Sequence, residues 1–99
     1  MANLAEANLT GASLNNANLS RTDLTESDLT DASLDEVNFR RAILKGATLF
    51  MSSLKGADLR QADLRNANLV GADWSGANLE GIHFCDTMIP DGTRNNSGC

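Results

Sequence analysis

The sequence predicts an all-β solenoid whose chain turns a corner once in every five residues. Three observations predict it. A large apolar residue recurs at every fifth position from Leu4 to Ile89 without a slip. Two residues before each stands a smaller one, alanine in most units. Six of the eight glycines (Gly11, Gly46, Gly56, Gly71, Gly76 and Gly81) share one position, two after the large residue. Eighteen tandem units therefore run over residues 2–91 and account for 90 of the 99 positions.

Neither common periodicity accommodates this beat. On an α-helix five residues advance about 500°, so successive leucines smear around the cylinder instead of forming a stripe. On a flat strand, residues five apart fall on opposite faces. All eighteen large residues share one interior only if the chain bends within each unit. Four bends close a square of 20 residues, and the next circuit stacks on it. Pairing each large residue with a small one fills a narrow interior without overpacking. Glycine supplies permissive backbone at the corners. The residue before the large one is Asn or Asp in eleven of the eighteen units, and such short polar side chains bond nearby backbone and support turns.

Ala57-Asp58-Leu59, Ala62-Asp63-Leu64, Ala67-Asn68-Leu69 and Ala77-Asn78-Leu79 carry the motif Ala-(Asp/Asn)-Leu-X-X outright. In this the chain resembles the pentapeptide-repeat proteins. The resemblance implies a right-handed quadrilateral β-helix, here of four to five coils of 20 residues. With stacked backbones ~4.8 Å apart, the rod is expected to be roughly 20 Å long. Residues 1–91 are read as the β-helix and 92–99 as a polar C-terminal tail, expected to be mobile.

Large departures cluster late: Val37 and Phe39 share one unit, then come Trp74, Ile82, Phe84 and Ile89. Bulky residues near the end of an array suit a cap, with Trp74 expected beneath the 89–92 turn. At the other end the repeat begins at Ala2 without a cap, which predicts either end-to-end association or a piece of something longer. Cys85 and Cys99 are the only cysteines. With no leader and no apolar run near the ~18 residues that span a bilayer, the expected location is cytoplasmic, where a bond between the two is not favoured.

The formal net charge is −5, which argues against a nucleic-acid binder. Its distribution is uneven. Residues 1–38 carry seven acids against Arg21, residues 39–70 six bases against Asp58 and Asp63, and residues 71–99 four acids against Arg94. Because residues twenty apart stack, the sequence is also a surface map. Phe50, Met51 and Val70 fall together where exposure is expected, near Met88. They are read as a protein-contact face for a partner or a second copy, with scattered surface hydrophobes or cover by the chain's own tail as the alternatives. Arg40, Arg41 and Arg60, with Arg21 alongside, form a possible anion-attracting patch. The blander reading is a solvated surface with offsetting pairs, Asp35 with Lys55 and Arg60 with Glu80.

No site chemistry emerges elsewhere. The acids of the second circuit (Asp23, Glu26, Asp28, Asp31, Asp35 and Glu36) lie on three sides of the square and do not converge on one ion. His83 and Cys85 are the only conceivable nucleophile and base, and both are expected to be exposed bystanders. No catalytic, cofactor-binding or metal-binding residue is assigned, and no enzyme is expected. Nor is a nucleic-acid partner, a membrane or a small-molecule substrate.

The function expected is therefore a non-catalytic structural and protein-interaction scaffold that binds a protein through the Phe50/Met51/Val70 face or a coil end, as a homodimer. Two alternatives stand beside it. Some members of the family resemble duplex DNA and protect or inhibit DNA gyrase, which the acidic sum suits and the basic waist does not. The chain is otherwise a spacer domain of a larger polypeptide.

Overall fold

A computed structural model describes residues 2–99. Within it, the residue before each large apolar one forms a parallel bridge to the residue twenty further on. The series runs from Asn3↔Asp23 to Asn68↔Met88. Hydrogen bonds join successive circuits in both directions: the Leu4 amide donates to the Asp23 carbonyl at 2.7 Å, and the Asp23 amide donates to the Ala2 carbonyl at 2.9 Å. The twenty-residue circuit read from the sequence is thus the repeat of the ladder.

Each corner is a tight turn. Ala7 N donates to Leu4 O at 3.0 Å across Glu6, whose φ is 60°. A negative φ followed by a positive one is the type II arrangement. The same left-handed residue recurs at every fifth position from Glu6 to Asp86, and eleven of these corners are not glycine. Glycine at the corner is therefore one solution, not a requirement. The left-handed conformation costs an L-residue about 1–2 kcal/mol. It is offset here because the corner amide bonds the circuit above, as Arg41 N does to Arg60 O at 3.0 Å.

The large and small inward residues make one dry column. Leu24, Leu29, Leu34, Phe39, Leu44, Leu49, Leu54, Leu59, Leu64 and Leu69 are fully buried, with alanines between them. Val37 and Phe39, both bulky and in one unit, are buried without remainder. Leu4, Leu9, Leu14 and Leu19 are half-buried on the first circuit. Four polar residues enter the small inward column: Thr22, Ser27, Ser52 and Thr87. Ser52 Oγ donates to Leu49 O at 2.8 Å and Thr87 Oγ1 to Leu64 O at 2.7 Å. Ser27 Oγ has no partner among the described residues.

The five-residue beat ends later than the corners do. After Asp86 the next left-handed residue is Gly92, not Asp91, because the chain doubles back. Strand β1 (Thr87–Met88) pairs antiparallel with β2 (Arg94–Asn95), with Thr87 opposite Asn95 and Met88 opposite Arg94. The tail expected to be mobile is instead fastened to the last circuit. Gly98 N donates to Phe84 O at 2.6 Å and Asp86 N to Asn96 Oδ1 at 2.7 Å. Arg94 pairs with Asp86, and Cys85 is joined to Cys99 by a disulfide across 4.8 Å between Cα atoms. That bond corrects the expectation of two free thiols, which rested on compartment and not on geometry. Trp74 meets Phe84 edge-on, with ring centroids 6.4 Å apart and both residues half-buried. With extents of 28 × 25 × 22 Å, the molecule is a stubby block, not a rod.

Candidate interaction surfaces

The outward faces are shaped first by their Asn and Asp residues. Those that precede a large inward residue accept the amide two residues on: Asn3 Oδ1 from Ala5 at 3.0 Å, Asp23 Oδ1 from Thr25 at 3.0 Å, Asn38 Oδ1 from Arg40 at 3.0 Å. At Ser20, Thr25, Ser75 and Thr93 the following hydroxyl adds a second bond, as Thr25 Oγ1 does to Asp23 at 2.6 Å. Hydrogen bonding to the charged form lowers a carboxyl pKa. Accordingly Asp23, Asp28, Asp73 and Asp91 are all held below the usual carboxylate range, chiefly by the hydroxyls of Thr25, Thr30, Ser75 and Thr93. Asp35 is used differently. Its Oδ1 accepts from Ser53 Oγ and from the Lys55 amide one circuit above. Among the described residues, no three His, Cys, Asp or Glu side chains are gathered as a metal site would need.

The apolar face lies on one side of the square. Phe50 is 40% exposed and Met51 53%, the exposed large hydrophobic residues among those described. Val70, one circuit above Phe50, is half-buried. Met51 lies over Gly71, whose missing side chain makes the room. Met88 and Pro90 continue this side, half-buried.

The arginines occupy the opposite corner of the square, half a circuit from Met51, where Arg21, Arg40, Arg41 and Arg60 line a groove of about 420 Å³ together with Ser20, Gln61 and Glu80. They are not equivalent. Arg60 is clamped by Asp58, Nε to Oδ1 at 2.9 Å and Nη2 to Oδ2 at 2.7 Å. Arg65 is clamped identically by Asp63, at 2.9 and 2.7 Å. These guanidinium bonds are the main cause that lowers the Asp58 and Asp63 carboxyls.

The expected vertical ion pairs are replaced by others. Arg60 pairs with Asp58 in its own turn, with Glu80 not within ion-pair distance, and Lys55 Nζ lies 4.0 Å from Asp73 while Asp35 takes the Lys55 amide. An arginine two residues after an aspartate reaches back over its own turn, which is a shorter path than the next circuit. The motif Asp-Leu-Arg at 58–60 and 63–65 carries that signal in the sequence. Arg21, Arg40 and Arg41 form no ion pair among the described residues. Arg41 Nε donates to Gln61 Oε1 at 2.7 Å. His83 is exposed, and Cys85 is engaged in its disulfide, so the two do not form a nucleophile and base.

A ladder of parallel bridges at twenty-residue spacing, with a type II corner per unit and an Asn or Asp turn on most faces, defines a quadrilateral β-helix. The family model for pentapeptide repeats matches residues 2–41 and 42–81. The chain belongs to the pentapeptide-repeat family, whose solved members are right-handed β-helices. It is similar to HetL from the cyanobacterium Nostoc sp. strain PCC 7120, described as involved in heterocyst differentiation regulation. The two are 38% identical over 94% of this chain and 43% of HetL, with a TM-score of 0.93. Rfr23 from Cyanothece 51142 is 36% identical over 81% of this chain and 54% of its own, with a TM-score of 0.80. The protein alr5209 from Nostoc PCC 7120 is 33% identical over 95% of this chain and 75% of its own, with a TM-score of 0.78. The chain thus spans about half the length of the first two. No curated protein sequence matches it.

Proposed function

We propose that the chain acts as a non-catalytic protein-interaction scaffold of four to five coils, and that Phe50, Met51 and Val70 form its contact face toward a second copy of itself. One observation carries this reading: among the described residues Phe50 and Met51 are the large hydrophobic side chains left exposed, the others being buried or half-buried, and they are neighbours. Adjacent exposed apolar side chains mark contact surfaces more often than scattered ones. A two-fold dimer uses the same patch on both subunits, so one face suffices. The double variant Phe50→Ser/Met51→Ser alters only exposed positions and leaves the core intact. Sedimentation should then shift from dimer to monomer, whereas an unchanged profile rejects the self-contact.

A cytoplasmic setting belongs to the same proposal, and the tail clamp bears on it. Cytosolic thiols are mostly kept reduced. Trapping Cys85 and Cys99 as free thiols in the native cell supports the cytoplasm; recovery of the intact bond argues for an oxidising compartment.

A further inference from the structure

The arginine groove contains a contrast that its neighbours make legible. Arg60 and Arg65 each follow an aspartate by two residues and are neutralised by it through two hydrogen bonds. One circuit below Arg60, the same turn reads Asn38-Phe39-Arg40. Asn38 Oδ1 accepts the Arg40 amide at 3.0 Å, as Asp58 Oδ1 accepts the Arg60 amide at 3.2 Å. The turn is the same and the carboxylate is gone. Arg40 is left without an ion-pair partner, as are Arg21 and Arg41, among the described residues. Arg41 is nonetheless held in place: its Nε donates to Gln61 Oε1 at 2.7 Å. That bond fixes the guanidinium plane and leaves its two terminal nitrogens without a protein acceptor among the described residues.

We propose that this groove binds a compact phosphate-type oxyanion, a phosphate or diphosphate group, through Arg21, Arg40 and Arg41. A guanidinium presents parallel N–H donors that match phosphate oxygens in pairs, which a lysine does not. Three unpaired arginines converge on one cavity of about 420 Å³, within the size range of small-ligand sites, roughly 300–1,000 Å³. Compactness follows from the surroundings. Glu80 stands at the upper end of the groove, and Asp58 and Asp23 lie on the faces either side of the corner. A long polyanion leaving the groove meets these carboxylates, whereas a single phosphate or diphosphate stays among the arginines.

Free phosphate, pyrophosphate and the diphosphate of a nucleotide share this chemistry. Calorimetric titration of the purified chain at fixed salt with inorganic phosphate, pyrophosphate and ADP separates them. Saturable binding at one site per chain is expected. Equal affinity for pyrophosphate and ADP means that the group alone is recognised, and tighter ADP binding means a nucleotide. The decisive variant is Asn38→Asp, which removes no arginine and supplies Arg40 with the clamp that Arg60 already has. It should weaken pyrophosphate binding about tenfold, the worth of one charge-assisted hydrogen bond, at an unchanged melting temperature. Arg41→Lys, which keeps the charge and loses the paired donors, should weaken it similarly. The proposal is overturned by absence of saturable binding at millimolar pyrophosphate, or by wild-type affinity in Asn38→Asp. It is equally overturned if single-stranded oligonucleotides bind more tightly than pyrophosphate and gain affinity with length.

Discussion

Met51 rests across Gly71, one circuit above it: a Cβ built on Gly71 would stand 2.3 Å from the Met51 sulfur. The exposed methionine is thus laid along the surface by a residue that has no side chain to obstruct it. Gly71→Ala should do two things at once. It places a side chain at φ +75°, which costs about 1–2 kcal/mol, and it pushes Met51 off its shelf. Gly76→Ala, at φ +71° with nothing nearer than 3.8 Å, should show the first effect alone. Denaturant unfolding is expected to give similar losses for the two variants. Sedimentation should show weaker self-association for Gly71→Ala only; equal association in both would detach Met51 from the contact face.

Ser27 is the one buried side chain whose hydroxyl finds no partner among the described residues. Its column otherwise holds Ala7, Ala47 and Ala67 below Thr87. An unsatisfied buried polar group costs about 1–3 kcal/mol. Ser27→Ala should therefore raise stability by about 1 kcal/mol, seen as a melting temperature about 4–8 °C higher for a domain of this size. Ser52→Ala is the control, since its hydroxyl donates to Leu49 O at 2.8 Å. It should be neutral or mildly destabilising. A loss of stability in Ser27→Ala would point to a hydrogen bond that the hydroxyl makes to water.

The five-residue beat made the circuit, the inward columns and the turn-forming role of Asn and Asp readable in advance, because each follows from local geometry repeated without a break. Phe50 and Met51 stood out for the same reason: a strict pattern makes its exceptions visible. What escaped the reading depends on details the period does not encode. Whether Arg60 turns to Glu80 above or to Asp58 behind it is decided by reach, and the turn brings Asp58 closer. Gln61 gained its role only once Arg41 was seen to donate to it. The return of the chain after Met88 falls outside the repeat, so its strand pairing and the meeting of Cys85 with Cys99 left no periodic trace.

The aspartates that close the turns make the fold sensitive to acid. Asp58 and Asp63 are held below the usual carboxylate range first by the guanidiniums of Arg60 and Arg65, and Asp23, Asp28, Asp73 and Asp91 first by neighbouring hydroxyls. A carboxyl whose pKa is depressed in the folded state binds its proton more readily when unfolded. The stabilisation is therefore complete above the unfolded value, near 4 for aspartate, and is lost as pH falls through the lower folded value. Urea unfolding between about pH 6 and pH 3 should show stability declining at the acid end. In Asp58→Asn/Asp63→Asn the turns remain while the ion pairs go, so the decline should be shallower. A parallel decline would assign the acid sensitivity to the other aspartates.

The disulfide makes the last circuit a unit with its own stability. Cys85 and Cys99 are 14 residues apart, and closing a loop of that length is worth about 3 kcal/mol in the chain-entropy account. In a repeat array, stability passes between neighbours and fades with distance, so that contribution should be felt locally. Reduction, or Cys99→Ser, is expected to free the hairpin formed by β1 and β2 and the contact of Gly98 with the Phe84 carbonyl. Amide exchange should then quicken at Asp86, Ile89, Gly92 and Gly98, whose hydrogen bonds fasten this segment. It should stay slow at Leu44 and Leu49, which lie between fully bonded circuits. Trp74 gives an independent signal, being the only tryptophan and packed against Phe84. Its emission should shift to the red as the end of the column opens to water. If exchange instead quickens throughout the chain, the tail is a clamp on the whole solenoid; if neither probe changes, the hairpin holds without its sulfur bridge.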